Sequence, residues 1–371
     1  MNSRSKSVPE VFVITHFPSP YQVELFDAVA EAAEISLSVL YLQGRSSRRQ
    51  WSRPTMRHEH AFADENWRQE KLEDLVKSSN LVVVNFYQSF ISLRAVRLCA
   101  RYGKPVAFWG ERPHSHSLSW ASRALRQLVF RPLHQDLAVW GIGSLAVSKY
   151  REEFGDACTY SSLPYFSNLS RFSIAGATRS ASRNETRFLY SGTLSPRKGV
   201  DVLVDAFLAL ASARGDVSLT FVGDGELRPR LEQCLAEYQD RVNFLGFRDW
   251  HELPEIYAGA DVLCVPSRHD GWALVVPEGL AAGMPVISTW ATGAAVDLIA
   301  SGENGWVVKP GLVEPFLEAM KLAASLTAAD RAEKCERSFA SIGSHGLSQG
   351  ADAFARESLS AMNRPQRRKP T

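Results

Sequence analysis

Residues Ser267 to Thr289 read SRHDGWALVVPEGLAAGMPVIST, which sets two carboxylates, Asp270 and Glu278, on either side of an apolar run ending in proline. Pro277 suits the first turn of a helix, where a missing N–H costs nothing, and Gly283 followed by Pro285 reads as a C-terminal stop. The stretch therefore predicts a short helix over Pro277–Ala282 with Glu278 in its first turn. After it, MPVIST is a brief β-branched run of the kind found in a buried parallel strand. Upstream, ADVLCVPS reads as another strand, so Asp270 falls in the loop that follows it. Open α/β sheets bind ligands at the carboxyl ends of their strands, and both acids lie at that level. Taken singly, Glu278 would equally complement a helix dipole and Asp270 would equally cap a turn.

The rest of the chain extends the same alternation. The first half runs VFVIT (11 to 15), VELFDAVAEAA, SLSVLYL, LVVVNFY (81 to 87), SLRAVRLCARYG and KPVAFWG, strand-like and helix-like by turns. Near Ser173 the pattern breaks into SIAGATRSASRNET, small, polar and without periodicity, which reads as a linker. Alternation restarts with TRFLYSG, a helix over Val200–Ala213, VSLTFVG, a helix over Leu227–Tyr238, VNFLGF, a helix through LPEIYAGA, and DVLCVPS. Such alternation argues parallel sheets with crossover helices. The expectation is an α/β protein of two doubly wound domains: residues 1–172, a linker over 173–186, and residues 187–346. The helix-like segment 347–362 is expected to pack back on the first domain.

A chain of 371 residues suits about two domains with cores of their own. A formal net charge of +2 gives no support to a nucleic-acid role for the whole protein. Charge is uneven, however: Tyr41 to His60 carries Arg45, Arg48, Arg49, Arg53 and Arg57 against the single acid Glu59. No apolar run approaches the ~18 residues of a membrane span, and MNSRSKSVPE has no apolar signal core, so a cytosolic location is expected. The five cysteines are scattered and free of any CxxC, which indicates neither a disulfide framework nor a zinc site.

In the second domain every candidate group follows a strand. FLYSGTLSPRKG places a glycine turn, then Arg197 and Lys198, just before a helix; TFVGDGEL runs a strand into the Gly223-Asp224-Gly225 turn. Glycines let backbone approach a ligand, and adjacent cations with helix N-terminal amides suit phosphate oxygens. Neither segment is a P-loop or a GxGxxG fingerprint, and each alone would pass for an ordinary turn or a solvated helix start. Their convergence with two spaced acids at one end of one sheet is what points to a ligand site. No Asp-x-Asp occurs, and no His cluster has ligand spacing. A diphosphate would therefore be neutralised by Arg, Lys and amides, with no metal required. A carboxylate such as Glu278 can accept both hydrogen bonds of a ribose diol.

At these residues the chain resembles glycosyltransferase family 4, retaining nucleotide-sugar transferases of GT-B fold, in which two Rossmann-like domains face each other across a cleft. The resemblance spans nearly the whole chain and is strongest from Arg187 to Pro310. The family's Glu-x7-Glu motif is present as Asp270-x7-Glu278. The resemblance implies that Glu278 holds the donor ribose, while Asp270 and its loop, Gly271, Trp272, Ala273 and Leu274, hold the donor sugar. SGTLSPRKG is similar to the family's diphosphate segment, with Gly192 in the turn, Lys198 at the lysine position and Thr193 where an arginine is usual. VNFLGFRDW is similar to the segment of the nucleobase pocket, around Phe247 and Arg248. On the first domain, HFPSPYQVELFDAVAE resembles an acceptor-side loop with Ser19, Pro20 and Tyr21. FWGERPHSH sets Glu111 and His114 after a strand, where they could meet an acceptor hydroxyl beside catalytic Asp270; a histidine so placed is more often structural.

These readings predict a metal-independent, retaining hexosyl- or deoxyhexosyltransferase. Its partners would be a nucleotide-diphosphate sugar as co-substrate and a glycan or lipid-linked acceptor in cell-surface polysaccharide or glycolipid synthesis. The arginines of the 41–60 stretch and of WASRALRQLVFRPLHQ (Arg123, Arg126, Arg131) could rest on anionic lipid, or form a solvated face or a site for an anionic soluble acceptor. Leu125, Leu128, Val129 and Leu133 fit packing on the domain core equally well. Rival readings are a non-catalytic GT-B subunit, favoured by Thr193 and Asp270, and a nucleotide-sugar epimerase.

Overall fold

The computed structural model describes residues 8–45, 52, 54–63, 69–113, 119–133, 136–176 and 185–364. They form two compact units, one comprising Met1–Ser167 with Leu347–Thr371, the other Asn168–Gly346.

The first unit is built on a seven-stranded sheet, β1 (Glu10–Thr15), β2 (Ser36–Tyr41), β3 (Glu59–Phe62), β4 (Leu81–Val84), β5 (Val106–Gly110), β6 (Ala138–Gly141) and β7 (Thr159–Ser162). All pairings are parallel, in the order β3-β2-β1-β4-β5-β6-β7. The near-continuous apolar strands VFVI and LVVV are buried throughout, as strands covered on both faces must be. On one face Phe12, Ile14, Val82, Val84, Phe108 and Val139 pack with Phe130 and Phe154. Elsewhere the helix Leu347–Met362 returns to lie on the helix Pro20–Ala32, with the Phe354 ring 6.2 Å from Phe26, 5.9 Å from Trp109 and 5.7 Å from Trp140. Gly350 makes this approach feasible, since a Cβ there would come within 2.5 Å of the Phe166 ring.

The helix Ser119–Phe130 differs from the uniformly surface-facing basic segment that its arginines suggest. Arg126 is buried, donating through Nε and Nη2 to Glu153 at 2.9 and 2.6 Å and through Nη1 to the Tyr87 hydroxyl at 2.8 Å. It shares the inner face with Val129 and Phe130, one helical turn on. In the basic 41–60 stretch, Arg57 is held by Asp27 and Glu31 of the helix Pro20–Ala32. Arg48, Arg49 and Arg53 lie outside the described residues.

The second unit repeats the architecture with six parallel strands: β8 (Thr186–Ser191), β9 (Val217–Val222), β10 (Val242–Phe244), β11 (Val262–Val265), β12 (Val286–Thr289) and β13 (Gly305–Val308), in the order β10-β9-β8-β11-β12-β13. Phe188, Tyr190, Phe207, Phe221, Phe316 and Met320 fill its main core. The helix Val200–Ala213 spans the residues its pattern predicts, whereas the segment read as one helix over 227–238 divides into Arg228–Cys234 and a 3₁₀ turn Ala236–Tyr238. Residues 168–172, assigned by the sequence to the first domain, belong to this unit. Their helix, Ser170–Gly176, sets Phe172 against Tyr257 at 5.1 Å and presses Gly176 onto the Ala282 backbone. Of the 173–186 linker, residues 177–184 lie outside the described residues.

Candidate donor site at the ends of β8 and β11

In the second sheet the strand order reverses between β8 and β11, whose following connections run to opposite sides. In open α/β sheets such a switch point leaves a crevice beyond the carboxyl ends of the strands. The loops after β8 and β11 meet there. Gly199, at φ 66°, ends the turn Pro196–Lys198 so closely against β11's exit that a Cβ would come within 2.1 Å of the Pro266 carbonyl oxygen. Arg268 locks the approach: its guanidinium donates to both Asp201 oxygens at 2.6 and 2.7 Å and to the Pro196 carbonyl at 2.8 Å. Arg197 donates to the His269 carbonyl at 2.9 Å, and the Arg268 N–H donates to the Arg197 carbonyl at 2.9 Å.

This bracing brings Lys198 and Asp270 together, Nζ to Oδ2 at 2.5 Å. Burial alone would push the Asp270 carboxyl upward. The charge and hydrogen bond of Lys198, the charge of Arg197 and the Trp272 N–H outweigh it and hold the carboxyl below its ordinary value. The Asp270 loop is in turn laid along the loop after β12, its N–H donating to the Ala291 carbonyl at 3.0 Å and its carbonyl accepting from Gly293 at 3.2 Å. Trp272 is buried, stacked on His345 at 5.7 Å.

Glu278 lies in the first turn of the helix Val275–Ala281, which begins two residues before the expected start. Ala273 takes a left-handed φ of 70° and turns the chain so that Leu274 can open the helix. Pro277 then falls third in the helix, where no intrahelical donor is required. Glu278 accepts from the hydroxyl of buried Tyr257 at 3.4 Å, and that hydroxyl also bonds Ser191, the last residue of β8. Two glycine turns complete the surroundings. Gly192 and Gly223 touch so closely that a Cβ on Gly223 would lie 2.0 Å from the Gly192 carbonyl oxygen, and the Gly223 N–H donates to Gly246 at 2.8 Å. Asp224 is occupied locally, accepting from the Gly225 N–H at 2.8 Å and pairing with Arg228 at 3.3 Å. Thr193 is exposed.

Residues 185–325 match the model of the family described as Glycosyl transferases group 1. This part of the chain is similar to that family. The resemblance to glycosyltransferase family 4 holds on the residues that carry it, because the group 1 segment contains Lys198, Asp270 and Glu278. The chain is 27% identical over 241 residues to a GDP-mannose-dependent monoacylated alpha-(1-6)-phosphatidylinositol monomannoside mannosyltransferase of Corynebacterium glutamicum, covering 59% of this chain and 63% of that protein. It is 29% identical over 223 residues to a GDP-mannose-dependent alpha-(1-6)-phosphatidylinositol monomannoside mannosyltransferase of Mycobacterium tuberculosis, covering 56% and 58%. The chain thus spans less than two thirds of the length of these curated relatives. Among solved structures, it resembles Anabaena HepE in complex with UDP, with a TM-score of 0.76 and 17% identity over 95% of this chain and 100% of that one. It also resembles sucrose-phosphate synthase from Thermosynechococcus elongatus, with a TM-score of 0.72 and 18% identity over 94% and 98%. The two-domain α/β fold is GT-B.

Within the group 1 segment, Phe247 is partly exposed, with Arg248 3.6 Å from Glu252, just beyond the Gly246 turn that meets Gly223. Tyr257 escaped the sequence reading; its only signal is a tyrosine on the buried side of a short helix, Leu253–Ala258. Arg268 and Asp201 were likewise unmarked. In the first unit, Ser19 is buried and donates to the Gln22 side chain at 3.0 Å, Pro20 is buried as the first residue of its helix, and Tyr21 packs on Tyr165 at 4.7 Å. The Glu111 carbonyl accepts from the Tyr150 hydroxyl at 2.5 Å. His114 lies outside the described residues.

Proposed function

We propose that the protein is a metal-independent, retaining glycosyltransferase that moves a sugar from a nucleotide-diphosphate sugar to a glycan or lipid-linked acceptor in cell-surface polysaccharide or glycolipid synthesis. The observation that carries this reading is the Lys198–Asp270 pair at the switch point of the second sheet, with Glu278 one short loop away. The relatives' names, which specify GDP-mannose and phosphatidylinositol mannosides, support a glycolipid acceptor, and the UDP complex of HepE supports a nucleotide donor.

Rupture of a sugar–phosphate bond develops positive charge at the anomeric carbon and negative charge on the departing diphosphate. Lys198 would stabilise the departing charge, with the Arg197 guanidinium and the amides of the Gly192 and Gly223 turns adding positive potential. Asp270 would hold a donor-sugar hydroxyl, and it pairs with Lys198. Glu278 would accept the ribose diol, its carboxylate steadied by Tyr257. In this reading the acceptor hydroxyl attacks on the face the diphosphate leaves, which preserves the anomeric configuration.

Calorimetry with GDP, UDP and their sugars, in EDTA, tests the donor site; NMR of the product anomer tests retention. Absence of nucleotide binding, or donor turnover without an acceptor, would favour respectively the scaffold or the epimerase reading. Peripheral membrane contact is a further element of the proposal. It is supported by Trp120 and Leu128, 69% and 57% exposed on the helix Ser119–Phe130 together with exposed Arg123, and by exposed Arg131 in the 3₁₀ turn Arg131–Leu133 that follows. No helix among the described residues is long and apolar enough to cross a membrane. Co-sedimentation with anionic vesicles, lost in Trp120→Ser, tests the contact.

A further inference from the structure

Trp272 supports the Asp270 carboxylate with its own backbone, since its N–H donates to that carboxylate. Whatever fixes Trp272 therefore helps to aim the acid. From one side the neighbouring loop does so: the Trp272 carbonyl accepts from the Ala294 N–H at 2.8 Å, and a Cβ on Gly293 would come within 2.3 Å of the Gly271 carbonyl oxygen. Those contacts hold main chain only. The next residue, Ala273, keeps a left-handed φ of 70° that an L side chain disfavours, a conformation that persists only where the surroundings impose it.

The Trp272 indole is buried, yet its N–H finds no hydrogen-bond acceptor among the described residues. Packing, not hydrogen bonding, sets the orientation of the ring. His345 supplies the parallel face, with centroids 5.7 Å apart and an interplanar angle of 12°, the geometry of an offset stack. Burial lowers the proton affinity of the imidazole further than the charge of Asp297 raises it, so the ring meets Trp272 neutral at pH 7. His345 is in turn held by rigid elements. Its N–H donates to the Ile342 carbonyl at 2.9 Å, and the preceding helix, Ala328–Ser341, is pinned where Ser338 Oγ donates to the Met284 carbonyl at 3.1 Å. Phe339 of that helix lies so close to Gly283 that a Cβ there would come within 2.9 Å of its ring.

We propose that His345 is a positioning residue for the Asp270 carboxylate, acting through its stack on Trp272. The proposal rests on the glycosyltransferase reading and adds to it a residue 75 positions from the acid it serves. His345 needs no contact with the donor: a flat ring at this place keeps the Trp272 N–H directed at Asp270, and so keeps Asp270 directed at a donor-sugar hydroxyl.

The test uses the full chain as wild type, His345→Ala, His345→Leu and His345→Phe, titrated in a calorimeter with GDP and GDP-mannose and with UDP and UDP-glucose. For each pair, the affinity of the nucleotide sugar divided by that of its nucleoside diphosphate reads what the sugar contributes. For the pair that wild type binds, this ratio should fall about five-fold or more in His345→Ala and His345→Leu, the effect of one misdirected hydrogen bond. In His345→Phe, which restores a flat ring, it should stay within about two-fold of wild type. Affinity for the nucleoside diphosphate alone should be unchanged in all three, a result that general loss of structure would not give. His345→Leu keeps apolar bulk and carries the test should His345→Ala not fold. An unchanged ratio in His345→Ala and His345→Leu, a loss in His345→Phe as large as theirs, or equal weakening of diphosphate and nucleotide sugar overturns the proposal while leaving the donor reading in place. Wild-type protein that binds neither nucleotides nor nucleotide sugars overturns the donor reading itself, and this proposal with it.

Discussion

Lys198 Nζ stands 2.5 Å from Asp270 Oδ2, although 72 positions separate the two residues in the chain. The distance is closed by strand order: β8 and β11 are neighbours, and the loops that leave them are clamped by Arg268 and Asp201. A cation held this way is available to a diphosphate without first having to be ordered. Lys198→Ala should therefore weaken GDP or UDP binding by about ten- to a hundredfold, the ~1.5–3 kcal/mol of a hydrogen bond to a charged group. The matching nucleosides, which lack phosphate, should bind as before. Unchanged diphosphate affinity in calorimetry would remove Lys198 from the site.

Tyr257 ties β8 to the Glu278 helix through one hydroxyl. Tyr257→Phe should leave the fold intact and cost about 1 kcal/mol of nucleoside diphosphate affinity, roughly five-fold. A 2′,3′-dideoxynucleoside diphosphate should bind the two proteins equally, because the loss acts through the ribose diol. Equal weakening of both ligands would show that the hydroxyl matters only to packing.

The Arg126–Glu153 pair offers a test of stability. Both side chains are almost fully buried, at 4% and 6% exposure, so deleting one strands the other. Glu153→Ala should lower unfolding free energy by about 3–5 kcal/mol, while the double replacement Arg126→Met with Glu153→Leu should cost much less. Urea denaturation monitored by tryptophan fluorescence would reveal the difference, and additive losses would contradict it.

Asp261 carries a pH prediction. Burial raises its carboxyl, but hydrogen bonds from the Arg187 side chain and N–H, with the charges of Arg187 and Arg331, bring it below the ordinary 3.8. A folded value below the unfolded one means that this stabilisation is complete above the ordinary value and is lost as pH falls through the depressed one. Asp261→Asn should thus flatten the decline of Tm as pH falls below the ordinary carboxylate value. Parallel Tm profiles for the two proteins would assign the acid sensitivity elsewhere.

How much of this was legible in the chain depends on whether the signal was local. The strand runs VFVI, LVVV and VLCV, and the placement of Glu278 in a first helical turn, follow from side-chain type and spacing, and the structure contains them. The start of the helix at Val275 did not follow, because it depends on Ala273 adopting a left-handed turn that its side chain does not favour. Strand order is not local either, so Lys198 and Asp270 could be set at one end of a sheet but not paired. Arg126 shows the converse error. Its charge argued for solvent, while its spacing from Val129 and Phe130 already placed it on the inner face; only Glu153, on another helix, makes that burial tolerable. Residues 168–172 joined the second unit for a similar reason, since what holds Phe172 is Tyr257, far along the chain.

The return of the helix Leu347–Met362 to the first unit bears on how the protein is made. Phe354 fills the space among Phe26, Trp109 and Trp140, so the first unit, as it emerges from the ribosome, has a gap in its interior that is closed only by a segment synthesised after the whole of the second unit. At about 5–20 residues per second, translation of the intervening 168–346 gives the second unit roughly ten seconds or more in which it can fold completely while the first waits with those aromatic rings uncovered. The nascent first unit should therefore be a chaperone client until residue 362 has cleared the exit tunnel.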